Sequence, residues 1–115
     1  MEQRPAKDPD ALNLIREAVA KGRYIEKLHG TERLNERHVD RLEVRYVLLN
    51  GKRDKNRDEF SKKYYSWTYA IEGSTLDRDK RLRIIVALHS DPLMGDVARI
   101  VSVIDITKRG RDEDR

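Results

Sequence analysis

Cysteine is absent from the chain, and tryptophan and phenylalanine occur once each. Without cysteine, a disulfide scaffold, a thiolate zinc site and a cysteine nucleophile are all excluded. Apolar runs are short as well. The longest, Ile84-Ile85-Val86-Ala87-Leu88, falls far below the roughly 20 residues needed for a helix to cross a bilayer. Met1-Glu2-Gln3-Arg4-Pro5 leads into no apolar stretch, so the sequence reads as a soluble cytoplasmic protein with no secretory leader and no membrane partner. Familiar motifs are missing too. The three histidines, His29, His38 and His89, form no His-x-x-x-His or His-Glu-x-x-His pair, so neither a zinc hydrolase nor any metal site is expected. The chain also lacks a Gly-x-x-x-x-Gly-Lys loop, a Gly-x-Gly-x-x-Gly fingerprint and a Gly-x-Ser-x-Gly elbow. No cofactor is therefore expected.

What the chain has is charge. Of its 115 residues 40% are charged and 37% hydrophobic, a length that supports one domain hiding about 65–70% of its unfolded surface. Twenty-five Lys and Arg against twenty-one Asp and Glu leave a net charge of +4. So small an excess makes a basic surface only by clustering. Two clusters qualify, Gly51-Lys52-Arg53-Asp54-Lys55-Asn56-Arg57 and Arg78-Asp79-Lys80-Arg81-Leu82-Arg83. Each is interrupted by aspartate. They are either solvated hairpin rims or a phosphate-contacting rim, and the second reading requires both on one face.

Along the chain, residues 1–7 read as a flexible arm, 8–106 as a single domain and 107–115 as a charged tail. Asp8 can cap a first helix with Pro9 at its first position, and Ala11, Leu12, Leu14, Ile15, Ala18 and Val19 form an apolar stripe that Gly22 ends. Glu17 and Lys21 make an i,i+4 pair. Tyr24 to Leu28 reads as a brief strand or extended link, and Thr31 opens a short helix through Arg37. Asp40 and Glu43 resemble a capping box, with Val39 stapling onto Val44; Leu42, Tyr46 and Leu49 then lie along one side of a third helix that Gly51 closes. Beyond Gly51 the period becomes alternating. Tyr65, Trp67, Tyr69 and Ile71 share one face, then Leu82, Ile84, Val86 and Leu88. In the last strand Ala98, Ile100, Ser102, Ile104 and Ile106 oppose Arg99, Val101, Val103 and Asp105. The expected fold is α+β: N-terminal helices packed on a C-terminal twisted antiparallel sheet of three to four strands joined as a meander.

The chemistry left open belongs to Arg, His and Tyr. His29, Arg33 and Arg37 recur every four residues, so in a continuous helix they project from one side. Such a cationic triple can hold a phosphodiester and stabilise the charge that grows on it. It can equally be neutralised by Glu32, Glu36, Asp40 or Glu43. Arg81, Arg83, Ile85, Ala87 and His89 share a strand face that is basic at both ends. Metal-free RNA cleavage needs a base for the 2′-hydroxyl, an acid for the leaving 5′-oxygen and a cation for the phosphate. His89 can serve as acid or base because its ordinary pKa lies near neutrality, and Arg83 can serve as the clamp. Lys52, Arg53, Lys55, Arg57, Lys62, Lys63 and Arg81 are the candidate RNA-contacting cations. Trp67 and Tyr69 read as core, whereas Tyr64, out of phase with them, is the candidate stacking residue.

These features together resemble a known family. A first helix precedes an extended segment ending in His29; Glu32-Arg33-Leu34-Asn35-Glu36-Arg37, a helix closed by Gly51 and strands ending Ile100-Val101-Ser102-Val103-Ile104 follow. The pattern over residues 9–106 resembles the bacterial domain-of-unknown-function family 4258, itself regarded as similar to the RelE and MqsR toxins of type II toxin–antitoxin systems. Leu34 stands where methionine is common, and His38-Val39-Asp40 replaces the usual Gly-Ile-Thr or Ser entry to the next helix. The resemblance implies a RelE-like fold, metal-free cleavage of messenger RNA by basic residues and tyrosine, and a cognate antitoxin protein that covers the site. The expected function is thus a toxin-type endoribonuclease, with His29, Arg33, Arg37, Arg83 and His89 as its candidate catalytic groups. The alternative is a non-catalytic module of the same fold that contacts a protein or nucleic acid.

Overall fold

The computed structural model describes residues 6–26, 39–63 and 65–107. Among these residues, two helices lie on one face of a six-stranded sheet. Helix α1 (Ala11–Ala20) buries Ala11, Ile15, Ala18 and Val19 completely, the i, i+4, i+7, i+8 stripe of an amphipathic helix. It begins two residues later than expected. Asp8 does not cap it; its carboxylate instead accepts the Asp10 N–H, holding Pro9 and Asp10 in the turn ahead of the helix. At the other end Gly22 has φ +76°, a backbone state open to glycine at little cost. Glu17 and Lys21 pair at 3.0 Å on the exposed side. Helix α2 (Arg41–Asn50) starts with a complete capping box: the Asp40 carboxylate accepts the Glu43 N–H, and the Glu43 carboxylate accepts the Asp40 N–H. Val39 is buried beside it, and the helix buries Val44, Val47 and Leu48, not the expected side of Leu42, Tyr46 and Leu49, of which Leu42 is exposed. The short helix expected over residues 31–37 lies outside the described residues.

The strands are β1 (Tyr24–Glu26), β2 (Lys52–Arg53), β3 (Glu59–Ser61), β4 (Ser66–Ser74), β5 (Arg81–Asp91) and β6 (Gly95–Asp105). Their order is β1-β6-β5-β4-β2, with β3 also paired to β4. β4, β5 and β6 form the expected antiparallel meander. The sheet exceeds three to four strands because of β1, β2 and β3, each only two or three residues long. β1 lies in the Tyr24 to Leu28 stretch read as a brief strand or extended link, whereas strands as short as β2 and β3 carry too little alternation to be seen. β1 pairs with β6 in parallel, which makes the sheet mixed.

Leu82, Ile84 and Val86 of β5 face the helices with Tyr69 and Ile71 of β4, as the alternation predicts. In β6 the expected face is correct only to Ile100. Ile85 opposes Ser102 and Val86 opposes Ile100, so Val101 is an extra residue in a β-bulge. Beyond it the pattern inverts: Val103 enters the core and Ser102 and Ile104 pass to the opposite face. Tyr65, grouped with Trp67 by spacing, instead lies in the turn before β4 at φ +51° and is exposed.

Two glycines let α2 approach the sheet. A Cβ on Gly51 would lie 2.6 Å from the Glu72 carbonyl oxygen and 2.7 Å from that of Val47, and one on Gly73 would lie 3.1 Å from the Gly51 Cα. Close approach, not unusual φ, demands glycine here. Among the described residues no helix is long and apolar enough to cross a membrane.

Candidate nucleic-acid interface

The face of the sheet away from α1 and α2 brings together Arg57, Arg83, His89 and Arg99. Register places Glu72, Arg83 and Ile104 side by side on it, then Ala70, Ile85 and Ser102, then Thr68, Ala87 and Arg99. Lys52 opposes Glu72 from β2. The two basic clusters, more than twenty residues apart in sequence, therefore meet around one carboxylate. Arg83 Nε donates to Glu72 Oε2 at 2.7 Å, and Arg57 Nε stands 3.6 Å from the same oxygen. A 3-10 turn (Lys55–Arg57) brings Arg57 there, with Asp54 accepting the Asn56 N–H at its start. Asn56, Arg57, Arg83, Ile85 and Ile104 line a cavity of about 380 Å³ with Asp58 and Glu59. Arg57 is shared between Glu72 and Asp54, the latter at 3.3 Å, so the two guanidiniums are balanced here by two carboxylates.

Not every cation of the clusters joins it. Arg53 lies opposite Ile71 and so faces the helices. Its guanidinium binds Asp58 at 2.7 Å, donates to the Asp8 and Pro9 carbonyls and sits 4.8 Å from the centre of the Tyr69 ring. At 6% side-chain exposure it ties the start of α1 to the sheet and is withdrawn from any RNA. Lys80 also turns to the helices, where its ammonium binds Glu43 at 3.0 Å; that hydrogen bond raises the Lys80 pKa above its ordinary value. The carboxylates of Glu43, Asp77 and Asp79 approach within 4.8 Å of one another, a spacing a cation would fit. Lys80, 3.0 Å from Glu43 and 3.8 Å from Asp79, already supplies positive charge there. Lys52, Lys55, Lys62, Lys63 and Arg81 are exposed. His29, Arg33, Arg37 and Tyr64 lie outside the described residues.

Arg83 and His89 share the face but not a cavity. Six residues of strand separate them, about 20 Å at the usual rise per residue. His89 is exposed near the end of β5 and makes no hydrogen bond among the described residues. With Ser66, Ala87, Leu88 and Arg99 it lines a cavity of about 300 Å³. Arg99 is the cation that sequence reasoning passed over. Its signal was present, because alternation about the buried Ala98 and Ile100 puts it on the face away from α1 and α2.

The turn after His89 is held by Asp91, whose Oδ1 accepts the Leu93 N–H at 2.8 Å and the Met94 N–H at 3.0 Å. These two donors, Leu93 first, hold the Asp91 carboxyl below its usual range, with a smaller contribution from the His89 charge. A depressed pKa stabilises the fold above the unfolded-state value of about 3.9, and the contribution is lost as pH falls through the lower folded value. Asp91→Ala should therefore lower the urea midpoint by a constant amount above about pH 5, and the gap to the unsubstituted protein should close below about pH 4. Denaturation series at several pH values check this; a gap that persists unchanged at pH 2 would contradict it.

No curated protein and no solved structure matches the chain. The family model described as Domain of unknown function (DUF4258) matches residues 27–105, which take in α2, all of β2 to β6 and both basic clusters. That match covers more than half of the sequence, and the chain accordingly belongs to the DUF4258 family.

Proposed function

We propose that this protein is a metal-independent endoribonuclease of the RelE/MqsR toxin type, acting on RNA laid across the face of its sheet that lies away from α1 and α2. The observation that carries the reading is the meeting of the two basic clusters on that face. Arg57 and Arg83 bracket Glu72 at one end, and Arg99 and His89 line a cavity at the other. A backbone crossing this face meets guanidiniums at both ends.

The roles divide by distance. Arg83 and Arg57 bind a flanking phosphate, since they are too far from His89 to act on the bond it serves. Arg99 takes the scissile phosphate. The ribose 2′-oxygen attacks phosphorus, the bond to O5′ breaks, and the products are a 2′,3′-cyclic phosphate and a 5′-hydroxyl. One proton leaves the 2′-hydroxyl and one reaches O5′. His89 carries one of these transfers, with His29 as the candidate for the other. A cognate antitoxin would silence the site by covering this face.

The test is purified protein with RNA in excess chelator, read for 2′,3′-cyclic phosphate ends. Each phosphate contact contributes a slope of about −0.7 to log affinity against log salt for single strands, so Arg57→Gln should flatten the dependence by about that amount. Intact RNA across salts and sequences would overturn the reading.

A second reading, a non-catalytic module for a protein or nucleic-acid partner, is favoured by the internal pairing of Arg83 with Glu72 and of Arg53 with Asp58. It is distinguished by RNA that binds without being cut, and by expression that does not arrest growth.

A further inference from the structure

We propose that the cleft beside His89 receives a nucleobase with a donor edge, specifically guanine, and so sets the sequence preference of the reading above, on which this inference rests. The cleft, about 240 Å³, lies between the start of α1 and the ends of β4 and β5. Its volume falls below the roughly 300–1,000 Å³ typical of drug-sized ligands and suits one small planar group. Leu14, Trp67 and Leu88 give it apolar walls, and Asp8 and Asp96 give it two carboxylates. His89 lines this cleft as well as the cavity that holds Arg99. A base in the first therefore directs its own phosphate toward the second.

The carboxylates decide which base. Asp8 is fixed from both sides: its N–H donates to the Tyr69 hydroxyl at 3.0 Å, and its Oδ1 accepts the Asp10 N–H at 2.9 Å. The main-chain carbonyl of Asp96 accepts Arg23 Nε at 3.0 Å, whereas its carboxylate makes no hydrogen bond among the described residues. Ionised carboxylates only accept. Phosphate is repelled from such walls, and so is the edge of uracil, whose single N–H stands between two carbonyls. Guanine presents N1–H and the N2 amino group side by side, which one carboxylate can accept together. Adenine and cytosine offer a lone amino group.

Trp67 is the single tryptophan and lines the cleft, so its emission reports occupancy. Titration with each nucleoside 5′-monophosphate at neutral pH should quench it, with half-saturation for the guanine nucleotide about tenfold below that for uracil, a factor within the range of one bidentate pair. Inorganic phosphate should leave the emission unchanged. Asp96→Asn should bring the four nucleotides within about twofold of one another, and Asp8→Asn, on a separate element, should narrow the spread by a smaller factor. Equal quenching by all four nucleotides, no quenching at millimolar concentration, or a guanine preference that survives Asp96→Asn would each overturn the inference. Failure here and failure of the nuclease reading are separable. Cleavage without guanine preference removes only the base cleft, whereas guanine preference without cleavage supports the cleft and removes the nuclease.

Discussion

His89→Ala is expected to lower RNA cleavage by about 10²–10⁴-fold, the range a positioned proton-transfer group supplies, while RNA affinity stays within about twofold. The side chain is exposed and unbonded among the described residues, so its removal takes little from the fold. One limb of the pH–rate profile should vanish with it. Arg83→Gln should behave differently. It removes a charge from the flanking-phosphate end, about 20 Å away along β5, and leaves Glu72 still 3.6 Å from Arg57. Its effect should therefore fall on affinity and salt dependence, with the rate on bound RNA little changed. Single-turnover cleavage at saturating protein separates the two. Should His89→Ala cleave at the unsubstituted rate, the proton-transfer role given to His89 is wrong.

Gly51→Ala is expected to lower the melting temperature by about 5–15 °C, through a packing penalty of about 1–3 kcal/mol. The added methyl would lie 2.6 and 2.7 Å from two main-chain carbonyl oxygens, and main chain cannot rotate away as a side chain can. The site is also tied elsewhere: the Gly51 carbonyl accepts an Arg16 guanidinium N–H at 2.6 Å, which joins α1 to the end of α2. Moving Gly51 displaces β2 against β4, and with it the turn that carries Arg57 to Glu72. The substitution should thus weaken RNA binding as well as stability. Glycine-to-alanine at Gly22 offers the contrast. A Cβ there meets nothing within 4 Å, and the cost is confined to its φ of +76°. Thermal melts of the two variants check the ordering, and a Gly51→Ala protein that melts with the parent would show that α2 and β4 can move apart freely.

The amino-acid sequence by itself determined the local elements and the inward residues of α1, β4 and β5, but not those of α2, which buries Val44, Val47 and Leu48 and leaves Leu42 exposed. The capping box at Asp40 and Glu43, the stripe of α1 and the alternation of β5 depend on neighbours within a few positions, and all three appear as read. So does the meander, because short connections leave adjacent strands little choice but to pair antiparallel. Tertiary structure decided whatever depends on register. The bulge at Val101 sends Val103 inward against its own alternation, a choice set by the pairing of β6 with β5. Pairing also separates cations that look alike in sequence. Of the residues 51–57, Arg53 turns to Asp58 and the core side while Arg57 reaches Glu72 on the other face. Of 78–83, Lys80 goes to Glu43 and Arg83 to Glu72. Composition counts charges; only the strand register fixes which of them share a surface, because a strand turns successive side chains to opposite faces and a shift of one residue exchanges the two.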